Sequence, residues 1–260
     1  RQHPPSPGAE ILDVGAGWGQ ISLPLAHRPD VQVTALEPTP ERLAFIRAAA
    51  TQEGITHRLH FIQGRFQAID FGPTFDLVCC IGVLEWVPKF QTGRPRAVQV
   101  EFLRRLRAAL KPDGCCYLGI ENRLGLKYLL GARDDHTAQR NISVLDADLA
   151  AAKHRAATGQ ELSAFTYMFA EYEILFREAG FSQIDTYAAF PDYKLPDLIL
   201  AFNPAEETNK ILRTEPLPEE HDGIDGKRLE NSSEIHSHYR SLAALGIAHF
   251  FAPSFYFVLR

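Results

Sequence analysis

The sequence predicts an α/β fold, in which a mostly parallel sheet carries helices on both faces. An apolar run, Ile11–Val14, leads into glycines at positions 15, 17 and 19 and then into a helical stretch. This is the pattern of a buried strand that turns tightly into a helix. Further apolar segments alternate with helical patterns at a regular interval, as in consecutive strand–helix–strand units. With 260 residues and 45% hydrophobic content, the chain can bury one substantial core.

The predicted elements follow in order along the first part of the chain. Val31–Leu36 alternates apolar residues and forms the second strand. The run Thr39-Pro40-Glu41 begins a helix that continues to about Glu53, because proline and an acid are favoured in a first helical turn. Leu59–Gln63 is the third strand.

The middle of the chain continues the alternation. Phe75–Trp86 is almost continuously apolar, which is typical of a strand buried on both faces that then enters a loop. Arg96–Leu110 places its apolar residues on one face of a helix. Cys115–Ile120 is the fifth strand, a helix spans about Met168–Ala179, and Gln183–Ala189 is the sixth strand.

Two long segments, 125–163 and 191–246, exceed what a minimal sheet requires. They follow the fifth and the sixth strand, and the carboxyl ends of parallel strands meet at the ligand-binding edge of a sheet. We therefore expect both segments to form a lid and a substrate pocket over that edge. The final strand is Ser254–Leu259.

Charge and composition restrict the partners and the cellular compartment that the sequence predicts. A net charge of −5 predicts no nucleic-acid partner, and no apolar run has the length of a membrane span. The four cysteines form adjacent pairs inside predicted strands, which suits reduced thiols in a cytoplasmic protein. Because the chain opens with Arg1 and its one methionine is Met168, we expect a piece of a longer protein.

The glycine turn distinguishes two kinds of nucleotide site. A dinucleotide fingerprint reads G-x-G-x-x-G, whereas this chain has G-x-G-x-G, with Asp13 two residues before Gly15. An acid at the tip of the second strand, here Glu37, is placed to accept hydrogen bonds from ribose hydroxyls. The early third glycine disfavours a nicotinamide-dependent oxidoreductase.

Four segments resemble, in their order and spacing, motifs of the class I S-adenosylmethionine-dependent methyltransferases. They are Asp13–Gly19, Glu37, Phe75–Trp86 and Leu110–Gly114. The resemblance implies a Rossmann-like sheet of seven strands, the last antiparallel, and methyl transfer from S-adenosylmethionine that leaves S-adenosylhomocysteine. It divides the chain into a cofactor-binding half at 1–124, a lid insertion at 125–163, a core helix and strand at 164–190, a second lid insertion at 191–246 and the final strand at 247–260.

The same resemblance implies the cofactor-binding residues, which lie in the first turn and at the tips of the next three strands. They are Asp13, Gly15, Ala16, Gly17, Gly19, Glu37, Pro38, Arg65, Phe66, Gln67, Ile81, Gly82 and Val83. Arg65 stands where many relatives carry Asp. Trp86 stands where many carry His, so no catalytic part is assigned to it.

Three further stretches are similar to a narrower subgroup of these enzymes, which is often encoded beside glycosyltransferases for bacterial surface polysaccharides. They are Ile120–Thr137, Phe190–Pro196 and Phe251–Phe255. This resemblance implies a glycan or another small hydroxylated molecule as the methyl acceptor. The region between Ala138 and Phe165 departs from the subgroup's pattern.

His136 is the predicted general base for a hydroxyl acceptor, because the ordinary pKa of imidazole, about 6.5, suits proton removal near neutrality. Asp134 or Asp135 would orient it. The alternative interpretation is that Asp134-Asp135-His136-Thr137 is a helix cap or a loop lock.

Side chains at two other strand tips complete the predicted site. Glu121 and Asn122 follow the fifth strand and would lie near the transferred methyl group, with Glu121 in a catalytic role and Asn122 as an acceptor contact. Tyr193 and Lys194 follow the sixth strand and should contact the acceptor. For both pairs, a purely structural turn is the alternative.

No metal site is predicted. His236 and His238 are two positions apart, which places them on opposite sides of a helix, and His221 brings no further ligands. Two alternative functions stay open, an N-methyltransferase acting on a small molecule and a non-catalytic S-adenosylmethionine-binding domain of a larger enzyme. A homo-oligomer stays open too.

Overall fold

An eight-stranded sheet forms the centre of the computed structural model, which describes residues 5–220, 229 and 232–260. The strands are β1 Ala9–Val14, β2 Val31–Glu37, β3 Leu59–Gln63, β4 Phe75–Ile81, β5 Leu110–Glu121, β6 Ile184–Phe190, β7 Leu198–Ala201 and β8 Ser254–Leu259. Their order across the sheet is β3-β2-β1-β4-β5-β8-β6-β7. Strands β1 to β5 pair in parallel, whereas β8 is antiparallel to both β5 and β6.

The predicted fold class is confirmed, but the predicted count of seven strands is one too low. The additional strand β7 pairs antiparallel with β6 and lies inside the segment 191–246 that was predicted to be lid. A run of four residues, Leu-Ile-Leu-Ala, is too short for its periodicity to separate a strand from a loop. Its pairing with Tyr187–Phe190 of β6 is what makes it a strand.

Helices cover both faces of the sheet, as the sequence predicts. They are α1 Ser22–Ala26, α2 Pro40–Gln52, α3 Pro95–Ala109, α4 Leu126–Leu129, α5 Ala147–Thr158, α6 Phe169–Glu178, α7 Ala205–Thr214 and α8 Ser232–Ala244. Side chains alternate along a strand, so β1 sends Ile11 to the core beneath α2 and Leu12 to the core that α3 and α6 share. None of the described helices has the length and apolar character needed to cross a membrane.

The carboxyl ends of β1, β2, β4 and β5 meet at one edge of the sheet. A 3₁₀ helix, Leu84–Phe90, follows β4 at this edge, and the loop after α4 brings His136 to the tip of β5. The loop after β6 brings Tyr193 and Lys194 to the same place. Chain segments far apart in sequence therefore converge over one end of the sheet.

Candidate active site

The glycine turn after β1 has a backbone shape that side chains would oppose. Gly15, Gly17 and Gly19 have φ values of +70°, +56° and +85°, in the left-handed region that favours glycine. A Cβ atom on Gly15 would lie 2.7 Å from Cγ2 of Val83, in the loop after β4. The turn thus needs glycine both for its conformation and for the close approach of that loop.

The carboxylate of Glu37 ties the tip of β2 to the glycine turn. It is 2% exposed and accepts hydrogen bonds from the backbone N–H groups of Gly17 and Thr39, both at 2.9 Å. Arg42 Nη1 lies 3.9 Å from its Oε1 atom. A buried carboxyl group is therefore held beside the turn, where the sequence predicts a ribose.

Asp13 has a structural position beneath the turn. Its side chain is buried and accepts a hydrogen bond from the Ser22 hydroxyl at 2.6 Å. Burial raises the pKa of Asp13 to about 6, against the opposing effect of the Ser22 hydrogen bond. This predicted cofactor residue supports the turn from below and does not line the cavity above it.

A cavity of about 340 Å³ opens beside the turn, within the usual range of small-molecule sites. Six predicted cofactor residues line it, namely Gly15, Pro38, Arg65, Phe66, Gln67 and Val83. Trp86 and Phe90 add aromatic walls, and the Arg65 guanidinium lies 4.8 Å above the Phe90 ring. The cavity thus combines flat apolar walls, a glycine backbone that a ligand can approach closely, and a nearby acid. This combination fits an adenosyl cofactor.

The tip of β4 is packed against a predicted acceptor residue. A Cβ atom on Gly82 would lie 2.6 Å from the hydroxyl oxygen of Tyr193. Burial, with the nearby carboxylates of Glu121 and Glu85, raises the pKa of Tyr193 well above its usual range, so its hydroxyl stays protonated. Gly82 therefore brings the predicted cofactor side of the site into contact with its predicted acceptor side.

Glu121 is the centre of a group of ionisable side chains, here called the Glu121 cluster and consisting of Glu85, Glu121, His136 and Lys194. Lys194 Nζ lies 3.2 Å from Oε1 of Glu121, and His136 Nε2 lies 3.7 Å from its Oε2. The side chains of Glu121 and His136 are only 3% and 8% exposed. Burial works against the Lys194 ammonium, but Glu121 and Asp135 raise its pKa, which keeps it charged.

Glu85 is the member of the cluster that the sequence analysis did not single out. It is fully buried in the 3₁₀ helix after β4, and neither of its carboxyl oxygens has a hydrogen-bond partner among the described residues. Burial and the neighbouring Glu121 raise its pKa well above the ordinary range. The acid near the end of the apolar run Phe75–Trp86 was the available sequence signal, since a charged residue is rarely buried unless it is paired or functional.

The predicted orientation of His136 by an aspartate is wrong. Asp135 instead forms a buried ion pair with Lys127, with 3.0 Å between Oδ2 and Nζ. Asp134 accepts hydrogen bonds from the backbone N–H groups of His136 and Thr137, so it locks the loop, as the alternative interpretation held. Glu121 is the carboxylate nearest the imidazole because the loop folds back over the tip of β5.

Asn122 also has a structural role in place of the predicted acceptor contact. Its side-chain amide donates to the backbone carbonyls of Phe250 (2.9 Å) and Ala252 (2.8 Å), and its Oδ1 accepts from the N–H of Leu124 (3.0 Å). Since the residue is fully buried, both of its N–H donors are used within the protein. Asn122 anchors the segment that precedes β8.

Trp86 connects the two halves of the site. Its indole lines the cavity beside the glycine turn and also packs edge-on against the His136 imidazole, with ring centroids 5.2 Å apart. The cavity and the Glu121 cluster are therefore neighbours on two sides of one aromatic ring. Of the three histidines considered for a metal, His221 lies outside the described residues, and His238 faces Glu234 on the exposed part of α8.

The first part of the chain is similar to known methyltransferases. Residues 11–114 match the family model described as a methyltransferase domain. The ubiquinone biosynthesis O-methyltransferase of Rickettsia conorii is 30% identical over 122 residues, which is 47% of this chain and 38% of that protein. Its mitochondrial counterpart in Schizosaccharomyces pombe is 33% identical over 124 residues, covering 47% and 42%. The chain thus spans less than half the length of these relatives.

Solved structures share the fold over the whole chain. An N-methyltransferase 2 of Haemonchus contortus, in complex with phosphomonomethylethanolamine and S-adenosylhomocysteine, matches with a TM-score of 0.54 and 14% identity, covering 100% of this chain and 50% of that one. The [4+2]-cyclase SpnF matches with a TM-score of 0.53 and 15% identity, covering 98% and 76%. At such identities the likeness concerns the fold alone.

Proposed function

Because the chain belongs through residues 11–114 to the class I S-adenosylmethionine-dependent methyltransferases, we propose that it transfers a methyl group from this cofactor to a hydroxyl group of a small molecule. The resemblance to the class I methyltransferases is confirmed, and S-adenosylmethionine is the cofactor of this family. The acceptor, its hydroxyl group and the roles of individual residues belong to the proposal.

The observation that carries the proposal is the position of the Glu121 cluster next to the cavity beside the glycine turn. Trp86 contacts both, so a donor in the cavity and an acceptor at the cluster would be neighbours. Methyl transfer is an in-line displacement, and holding the two reactants in alignment supplies much of the rate acceleration. The architecture suits that requirement.

When bound, the cofactor supplies an activated methyl group on a sulfonium. In the proposal, the glycine turn and Val83 hold its amino-acid part, Glu37 accepts hydrogen bonds from its ribose hydroxyls, and Arg65 and Phe90 enclose its adenine. His136 and Glu121 activate the acceptor hydroxyl, and Tyr193 and Lys194 position it. The indole of Trp86 and the walls of the cavity exclude water, which strengthens electrostatic interactions inside the site.

Oxygen is the proposed acceptor atom for two reasons. A hydroxyl needs activation that a neutral amine does not, and the site provides a buried imidazole beside a carboxylate. The curated relatives are O-methyltransferases by name, which supports the same choice. A glycan remains a narrower prediction, so the proposal keeps the broader class of small hydroxylated molecules.

The first experiment measures binding. Titration of the chain with S-adenosylhomocysteine in a calorimeter should give one site per chain, and the absence of heat would remove the proposal. A screen of hydroxylated acceptors for products heavier by one methyl group then identifies the substrate. In that assay His136→Ala should abolish turnover while retaining cofactor affinity, whereas His57→Ala, at an exposed histidine before β3, should retain both.

A further inference from the structure

We propose that Glu85, Glu121 and His136 bind a divalent metal cation of the Mn²⁺ type, which holds the hydroxyl oxygen of the acceptor. The inference rests on the proposed methyl transfer for the role of the cation, although the binding site itself stands on geometry alone. It departs from the sequence analysis, which predicts no metal.

Three separate parts of the fold supply the ligand atoms. Glu85 comes from the 3₁₀ helix after β4, Glu121 from the tip of β5 and His136 from the loop after α4. One ligand atom of each lies within 4.8 Å of those of the other two. Three ligands with bonds of about 2.1 Å to one cation lie about 3.0–3.6 Å from one another. Glu121 Oε2 and His136 Nε2 are already 3.7 Å apart, and the longer sides would have to close by about 1–2 Å to complete the site.

Buried carboxyl oxygens without hydrogen-bond partners favour a cation at this place. Both oxygens of Glu85 and Oε2 of Glu121 are buried without a hydrogen-bond partner among the described residues. Buried charges in proteins are normally paired or coordinate metals, because removing them from water is costly. Lys194 compensates none of these three atoms, since its ammonium lies at Oε1 of Glu121, while Oε2 faces His136.

The donor set selects the kind of metal. Two carboxylates favour Mg²⁺, Mn²⁺ or Ca²⁺, whereas an imidazole favours transition metals such as Fe²⁺ or Zn²⁺. A Ca²⁺ ion requires six to eight oxygen ligands, more than this site offers. Mn²⁺ is a transition metal that also binds carboxylates, and it therefore fits this mixed donor set best.

Three protein ligands leave coordination positions open, as in sites where a metal binds substrate and not only structure. A hydroxyl oxygen in such a position becomes more acidic, because the cation stabilises its ionised form, and its proton leaves to solvent. His136 then activates the acceptor as a metal ligand and does not itself take the proton. This replaces the general-base role that the sequence predicts for it.

Mn²⁺ binding is the direct test and needs no acceptor. The chain is freed of metal with a chelator and titrated with Mn²⁺, with free Mn²⁺ followed by electron paramagnetic resonance. We expect one saturable site, weakened at least tenfold by Glu85→Gln and by His136→Asn. Glu220→Gln is the matched control, because Glu220 is also a buried glutamate but lies outside the cluster, and it should leave the affinity unchanged.

A second measurement locates the ion. The chain has two tryptophans, and Trp86 packs against His136, whereas Trp18 packs against Phe45 on α2. Bound Mn²⁺, being paramagnetic, should quench the fluorescence of the wild type and of Trp18→Phe, but that of Trp86→Phe much less. Equal quenching in all three proteins would place the ion elsewhere and overturn the assignment.

The outcomes separate the two proposals. No saturable Mn²⁺ binding, or equal affinity in wild type and Glu85→Gln, overturns the metal site even if S-adenosylhomocysteine binds. Mn²⁺ binding that depends on Glu85 and His136 supports the metal site, and it does so even in a chain that fails to bind S-adenosylhomocysteine. In that last case the proposed methyl transfer falls and the cation site stands.

Discussion

The carboxylate of Glu37 accepts a hydrogen bond of 2.9 Å from the backbone N–H of Gly17. This contact joins the ends of two neighbouring parallel strands, and it fixes a buried acid beside the opening of the cavity. The backbone of the turn therefore holds the side chain of Glu37 in place.

Replacement of this acid should weaken cofactor binding. In Glu37→Gln, one carboxylate oxygen becomes an NH₂ group that faces a backbone N–H, and the charge that would bind ribose hydroxyls is lost. A hydrogen bond to a charged group contributes about 1.5–3 kcal/mol, so the affinity for S-adenosylhomocysteine should fall by roughly tenfold or more. Calorimetry measures this affinity, and Glu41→Gln, at an exposed position on α2, is the control. Equal affinities in both variants would contradict the assignment of Glu37.

Gly15 should not tolerate a side chain. In Gly15→Ala the new Cβ would meet Val83 at 2.7 Å in a backbone of φ +70°, so we expect loss of measurable S-adenosylhomocysteine binding and a lower melting temperature. Gly72→Ala is the matched control, because its φ is +58° but no atom lies within 4 Å of the new Cβ. If both variants behave alike, backbone strain alone explains the effect and the close packing against Val83 is unimportant.

The buried carboxyl of Asp13 should make stability depend on pH. Its pKa is raised to about 6 in the folded chain, so the folded state binds the proton more tightly than the unfolded state. The contribution of this group is fully present below about pH 4 and is lost as the pH rises through about 6, by about 3 kcal/mol in total.

Asp13→Asn should remove this dependence, since an amide at the same place still accepts the Ser22 hydrogen bond and does not ionise. Urea unfolding of both proteins from pH 4 to pH 8 measures the difference. The wild type should lose stability relative to the variant as the pH rises. A constant difference across the range would show that Asp13 does not titrate near pH 6.

The amide of Asn122 should be important for stability and not for acceptor binding. Asn122→Ala would leave two buried carbonyls and one N–H without their partners, and each unsatisfied group costs about 1–3 kcal/mol. We expect a loss of roughly 2–4 kcal/mol in the free energy of unfolding, measured by denaturant titration. Gln52→Ala, at the exposed end of α2, should change it by less than about 0.5 kcal/mol. Unchanged stability together with weaker acceptor binding would restore the role first predicted for Asn122.

Local patterns determined most of the fold. The strand Leu59–Gln63 and the final strand Ser254–Leu259 have the predicted bounds, because alternation of side chains is a property of neighbouring residues. The positions of the glycine turn and of Glu37 could also be predicted, because each lies within a few residues of the end of a predicted strand. The strand β7 was missed because four residues carry too little of such a pattern.

The sequence by itself determined the order of the strands and helices outside the two long segments, the glycine turn and the chemistry available at each strand tip. These features depend on interactions between residues near one another in the chain. The tertiary structure alone decided which side chains meet. It paired Asp135 with Lys127 and used Asn122 as an anchor. It also brought Glu85 from the 3₁₀ helix after β4 and His136 from the loop after α4 to Glu121. These contacts join distant segments whose approach is fixed by the packing of the core, and no local pattern records that packing.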